Sequence, residues 1–194
     1  MTLPVEQERI WQEFDALHRE LGGDVLFFSP TRRHLKSQHW RRAFCRAVAA
    51  YLEAMTAWMA RYTILSYYPG ELGDGERQTL EARLSALERT FHAIDLFTNT
   101  AGVESPLVRG SADWHVLTTM IRIRNRVVHP KRAEDACLSD DDLCAVYRAA
   151  RVVRHLFIET LNRSGRALLR RAHALRCSEL PRRDAPPKSL RFLS

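Results

Sequence analysis

The chain has 194 residues, 45% of them hydrophobic, with 30 Lys and Arg against 23 Asp and Glu, a formal net charge of +7. That length and apolar content sustain one core and disfavour two domains, and the basic balance favours a polyanionic partner such as nucleic acid or an anionic surface. No apolar run approaches the ~20 residues a membrane span needs, and the opening "MTLPVEQERIWQEF" lacks a signal-peptide core, so the expectation is a soluble cytoplasmic protein with no membrane contact.

The elements follow in chain order. A short amphipathic helix is expected near Val5 to Leu21, and "DVLFF", Asp24 to Phe28, is the one short strand candidate. From Gln38 to Leu65, apolar residues at Trp40, Phe44, Val48, Tyr51, Met55, Trp58, Tyr62 and Leu65 recur in the steps of three and four that a helix aligns on one face. Tyr68-Pro69-Gly70 ends that helix, and a second is expected from Glu76, with Leu80, Leu84, Leu87, Phe91, Ile94 and Phe97 as its stripe, stopping near Gly102. A third starts at Ser111 or Asp113, carries Trp114, Leu117, Ile121 and Val128, and ends with His129 at its edge, because the residue before Pro130 is pushed out of helical geometry. A fourth is capped by Ser139, its three Asp complementing the helix dipole, with a stripe of Leu143, Val146, Ala150, Val153, Phe157 and Leu161.

These elements make an all-α chain, an antiparallel bundle of four to five helices with a basic C-terminal tail. Three segments are expected: residues 1–35 as an N-terminal helix and linker packed on the bundle, 36–177 as the bundle, and 178–194 as a flexible basic tail.

Charge is unevenly placed along this layout. From Arg163 to Ser194 there are nine Lys and Arg and two Asp and Glu, so this segment carries the whole +7 and the rest is balanced, twenty-one of each sign. Within the balanced part, Arg32 to Arg46 holds six cations and no acid, and "MIRIRNRVVHPKR", Met120 to Arg132, holds five and no acid. The four cysteines, Cys45, Cys137, Cys144 and Cys177, form no CxxC pair and have no His at zinc-like spacing, so no metal, disulfide framework or cofactor is indicated.

The second basic stretch admits two readings. As a solvated helix terminus, Arg122, Arg124, Arg126, Lys131 and Arg132 are favoured by the dipole, and His129-Pro130 is a stop. As a site, Asn125 and His129 lie one turn apart on one face and Arg124 is adjacent, so a guanidinium, a carboxamide and an imidazole can gather around one phosphate.

The run "RNRVVH", Arg124 to His129, resembles the R-N-x-x-x-H signature of HEPN domains, helical bundles common in toxin–antitoxin, CRISPR and phage-defence systems. The likeness extends over roughly Gln38 to Asn162: a long first helix containing "YLEAMT", a second, the motif near the end of the third, and a fourth. The resemblance implies a metal-independent endoribonuclease acting as a toxin or defence effector in a homodimer, the Arg and His of both chains meeting in a shared cleft. Arg124, Asn125 and His129 would be catalytic, with 2′,3′-cyclic phosphate and 5′-hydroxyl ends as products. Arg122, Arg126, Lys131, Arg132 and Arg46 would hold RNA, and Glu53, off the apolar stripe, would orient Arg124 or His129 or be a plain surface acid. A cognate antitoxin or nucleotidyltransferase-like chain is an implied partner. The family also includes non-catalytic members, so the alternative is a helical dimer that binds RNA or a partner protein without chemistry.

Other residues have ordinary roles. The remaining histidines show no site-like spacing, Trp11, Trp40, Trp58 and Trp114 fall near apolar stripes, and Tyr67-Tyr68 either stack on bases or pack on the core. The basic segment from Arg163 either holds phosphates or is merely solvated.

Overall fold

The computed structural model describes residues 3–29, 36–67 and 84–179. Among them are five α-helices and no strand: α1 (Leu3–Phe28), α2 (Gln38–Tyr67), α3 (Ala86–Ala101), α4 (Ala112–Val128) and α5 (Asp140–Glu179), with a single 3-10 turn, Ala133–Ala136, between the last two. Residues 68–83, where the expected second helix begins, and the tail from 180 onward lie outside the described residues.

The centre of the fold is α2, which packs against each of the other four helices. Of its expected stripe, Phe44, Val48, Tyr51, Met55 and Trp58 are buried and Trp40 and Tyr62 partly so; with Leu52 and Met59 the buried residues meet Ile94 and Phe97 of α3, Leu117, Met120 and Ile123 of α4, and Val146, Val153, Leu156 and Phe157 of α5 in one cluster. A continuous apolar cluster of this kind is the main source of stability in a helical domain, since isolated helices are marginal in water.

Among the described residues, buried side-chain polar groups find partners, the Ser164 hydroxyl excepted. The indole N–H of Trp58 donates to the Ile10 carbonyl at 2.8 Å, and Tyr51 Oη lies 2.7 Å from His18 Nδ1, two bonds that fix α1 on α2. Between α2 and α3 the hydroxyls of Thr56 and Thr90 lie 3.0 Å apart, each also within hydrogen-bonding distance of a carbonyl of its own helix, so one hydroxyl bridges the helices while the other donates to its own backbone.

The strand candidate is corrected. Asp24 to Phe28 is the last turn and a half of α1, because Leu17, Leu21, Val25 and Phe28 continue one helical face onto the core, a demand that outweighs the β-propensity of five residues. Leu26 and Phe27 are left on the outside, 71% and 69% exposed. Over the basic segment from Arg163, α5 runs unbroken to Glu179, with Ser164 and Ala167 buried and Arg163, Arg166 and Arg170 exposed.

Helix ends follow local chemistry. Ser85 and Ser111 cap α3 and α4, accepting from the N–H groups of Glu88 and Trp114 at 3.2 Å each. Gly102 ends α3 at φ 67°, and the N–H of Val103 reaches the Thr98 carbonyl at 3.1 Å, a left-handed stop that suits glycine.

Cys45 of α2 is fully buried in this core. Burial lifts its thiol to about 11, the Asp142 carboxylate pushing the same way and Arg124, Arg46 and Arg126 opposing. Cys137 and Cys144 are exposed. Iodoacetamide at about pH 8 should therefore alkylate Cys137 and Cys144 in the native protein and spare Cys45 until denaturant is added, as read by peptide mass spectrometry.

Candidate functional site

The motif helix ends where proline forbids its continuation. His129 is the C-cap residue of α4, at φ −124° and ψ 60°, and its backbone N–H still reaches the Asn125 carbonyl at 3.0 Å. The chain then turns back: the Asp135 carboxylate accepts the N–H groups of Lys131 and Arg132 at 2.9 and 3.0 Å.

What fixes this turn is the start of α2. The Gln38 side chain pairs with both backbone groups of Leu138, accepting its N–H at 2.8 Å and donating to its carbonyl at 3.0 Å. Arg41, nearly buried, donates to the same carbonyl at 2.7 Å and bridges to Asp140 at 2.5 Å, and Arg42 donates to the Ala136 carbonyl at 3.2 Å. Part of the basic stretch Arg32 to Arg46 is thus structural, since a guanidinium can satisfy several carbonyls at once.

Just beyond, Ser139 and Asp142 cap α5 reciprocally: the Asp142 N–H donates to Ser139 Oγ at 3.1 Å and the Ser139 N–H to the Asp142 carboxylate at 2.9 Å. Arg126 of α4 adds a 2.6 Å ion pair to that carboxylate. Partial burial works against the charged carboxyl, but the bonds from Ser139 and Arg126 outweigh it and hold Asp142 below the usual range.

Arg124 turns the other way, toward α2. Its guanidinium lies 3.1 Å from Glu53 and donates to Asn125 Oδ1 at 3.0 Å. Glu53, Arg124 and Asn125 line a small cleft with Ala49, Leu52, Ala86, Met120 and Ile121. His129 instead opens into a broad, shallow depression with Asn125, Arg126, Lys131 and Asp135. Within one chain, then, Asn125 belongs to both hollows, whereas Arg124 and His129 line different ones.

The other expected site residues are placed as follows. Glu53 forms an ion pair with Arg124. Arg122, Lys131 and Arg132 are exposed, while Arg126 is engaged by Asp142. Arg46 is exposed on α2 two turns before Glu53 and touches neither hollow. The Tyr67 and Tyr68 side chains lie outside the described residues. Arg148, Arg151 and His155, which line a groove between α4 and α5, were not singled out from the sequence although their i, i+3, i+7 spacing places them on one face.

Among the described residues no group of three His, Cys, Asp or Glu is arranged to hold a metal, and no helix is long and apolar enough to cross a membrane. Compared with known proteins, the chain matches no family model, and neither the curated proteins nor the solved structures give a significant match.

Asp142→Asn tests the capping and ion-pair role. A carboxyl held below its unfolded value contributes stability above that value and loses it as pH falls through the folded one. The variant should be less stable at neutral pH by about 1–2 kcal/mol, and the difference from the parent should close as pH drops below about 4, measured by urea unfolding across a pH series.

Proposed function

We propose that this protein is a HEPN-like, metal-independent endoribonuclease of the toxin or defence-effector type, working as a homodimer with Arg124, Asn125 and His129 at its site. One observation carries the reading: Arg124 is held by Glu53 and Asn125 one turn from an exposed imidazole at the end of the same helix. A guanidinium fixed by two partners loses little freedom on meeting a phosphate, and a helix-terminal imidazole is free to exchange protons with solvent and substrate.

RNA carries its own nucleophile. An imidazole takes the 2′-hydroxyl proton as that oxygen bonds to phosphorus, the P–O5′ bond breaks, and the departing 5′-oxygen takes up a proton. Arg124 stabilises the charge developing on the phosphorane oxygens. The products are a 2′,3′-cyclic phosphate and a 5′-hydroxyl. Because Arg124 and His129 line different hollows of one chain, the homodimer supplies what a single copy lacks: a second motif helix whose His129 can face the first chain's Arg124. Two imidazoles can then divide the roles of base and acid.

A second reading keeps the dimer and discards the chemistry, making the motif a recognition surface for RNA or for a partner chain such as an antitoxin. The pairing of Arg124 with Glu53 favours it, since the guanidinium already has a counter-charge. Incubating the purified protein with mixed RNA in excess EDTA, beside His129→Ala, separates the two. Cleavage that leaves cyclic phosphate and falls at least 100-fold in the variant supports the nuclease. RNA bound but uncut by both proteins supports recognition. His129→Ala should keep its helicity and thermal midpoint, because the side chain is exposed.

A further inference from the structure

A shallow groove of about 450 Å³ runs between α4 and α5, floored by Val116 and Val152 and edged by Arg148, Arg151 and His155. The two helices are antiparallel here: Arg126 meets Asp142 at one end, and Val116 and Val152 face each other across the groove at the other. By that register Arg122 of α4 falls level with Val146 of α5, close along the helix to Arg148. Arg122, Arg148, Arg151 and His155 are all exposed.

Several arginines among the described residues lack a carboxylate partner, Arg19, Arg46, Arg89 and Arg154 among them, and Arg122, Arg148 and Arg151 are three such that adjoin one groove. Arg41, Arg61, Arg109, Arg124, Arg126 and Arg163 are each paired with a carboxylate. Among the described residues, Arg122, Arg148 and Arg151 have none within ion-pairing distance. Of the acids near the ends of the face, Asp142 and Glu159 are taken by Arg126 and Arg163, and the exposed Asp141, two turns before Arg148, is not within ion-pairing distance of these arginines. A chain segment of zero net charge thus presents an uncompensated cationic strip along this groove, held there by two rigid helices.

We infer that this strip is the path of a single RNA strand, Arg122, Arg148 and Arg151 each holding a phosphate, with the sugar and base edges against Val116 and Val152. The inference rests on the nuclease reading only for where the strand is cut: the strip begins one turn from Asn125, so a strand with its scissile phosphate at the motif continues into the groove. Arg148 and Arg151 are one turn apart, roughly 4.5 Å along the axis, and the face from Arg148 to His155 extends roughly 10 Å, a length that suits successive phosphates. A second copy of the chain is a poor occupant, because a twofold contact through this face would set arginines against arginines. An anionic membrane is less well served, since beside the arginines the large apolar side chains exposed on α5 among the described residues are Ile158, 41% exposed, and Leu169, 72% exposed and further along the helix.

The test is the affinity of the full chain for a fluorescent 20-nucleotide 2′-O-methyl RNA, which cannot be cleaved, measured by anisotropy across a salt series. Arg148→Gln with Arg151→Gln should weaken binding about tenfold and lower the slope of log affinity against log salt by about 1.4, two phosphates' worth for a single strand. Arg19→Gln with Arg154→Gln removes the same charge on the far side of α5 and should change the slope by much less. Equal losses in the two double variants, no loss in the first, polyglutamate competing as well as RNA, or a changed oligomeric state in the first variant would each overturn the path. The cut site and the path fail separately. Cleavage that depends on His129 with binding indifferent to Arg148 and Arg151 removes the path alone. Binding that depends on those arginines in a protein that cuts no RNA removes the nuclease alone.

Discussion

Everything at the motif end of the molecule depends on how the first turns of α2 grip the connection between α4 and α5. Gln38 replaces a backbone partner for both polar groups of Leu138, and Arg41 and Arg42 close on the neighbouring carbonyls and on Asp140. The side chain of Leu138 is meanwhile buried in the core. A helix ended by proline would otherwise leave free carbonyls and a wandering loop. With the grip in place, the loop has one course, α5 begins at one residue, and the two helices meet at one register.

That register decides what the charges can do. By bringing Asp142 under Arg126, the fold removes one arginine of the motif from solution chemistry. By bringing Glu53 beside Arg124, it fixes another in place without removing it, since both groups are partly exposed. The arginines on the outer side of α4 and α5 are left uncompensated, and the resulting strip arises in a part of the chain whose acids and bases are equal in number. Net charge alone pointed to the region after Arg163. Geometry shifts the emphasis to the helices before it.

Helix positions were largely legible because a period of three to four residues survives any tertiary context that buries one face. Most of the stripes of α2 and α5, the caps at Ser111 and Ser139, and the end at His129 follow from side-chain chemistry within a few residues, whereas α4 buries Leu117, Met120, Ile123 and Val127 rather than the expected Trp114, Ile121 and Val128, which are only partly covered. "DVLFF" misled because a five-residue apolar run suits a strand as well as a helix, and only the continuation of the α1 face from Leu17 through Phe28 decides between them. At the site, the adjacency of Arg124, Asn125 and His129 was legible from spacing, and the pairing of Glu53 with Arg124 was one of two readings left open. The division of Arg124 and His129 between two hollows was not legible, because it depends on where α2 and the loop after Pro130 lie.

The sequence by itself determined an all-helical chain, the faces each helix must bury, and the concentration of cations, one Asn and one His at the end of α4, since these rest on local periodicity and on neighbours within one or two turns. Only the tertiary structure decided which cations are used up. Arg41, Arg42 and Arg126 lose their freedom to partners about 100, 94 and 16 residues away, whereas Arg122, Arg148 and Arg151 keep theirs. Electrostatic pairing is set by distance in space, and a linear order of charges carries no record of it.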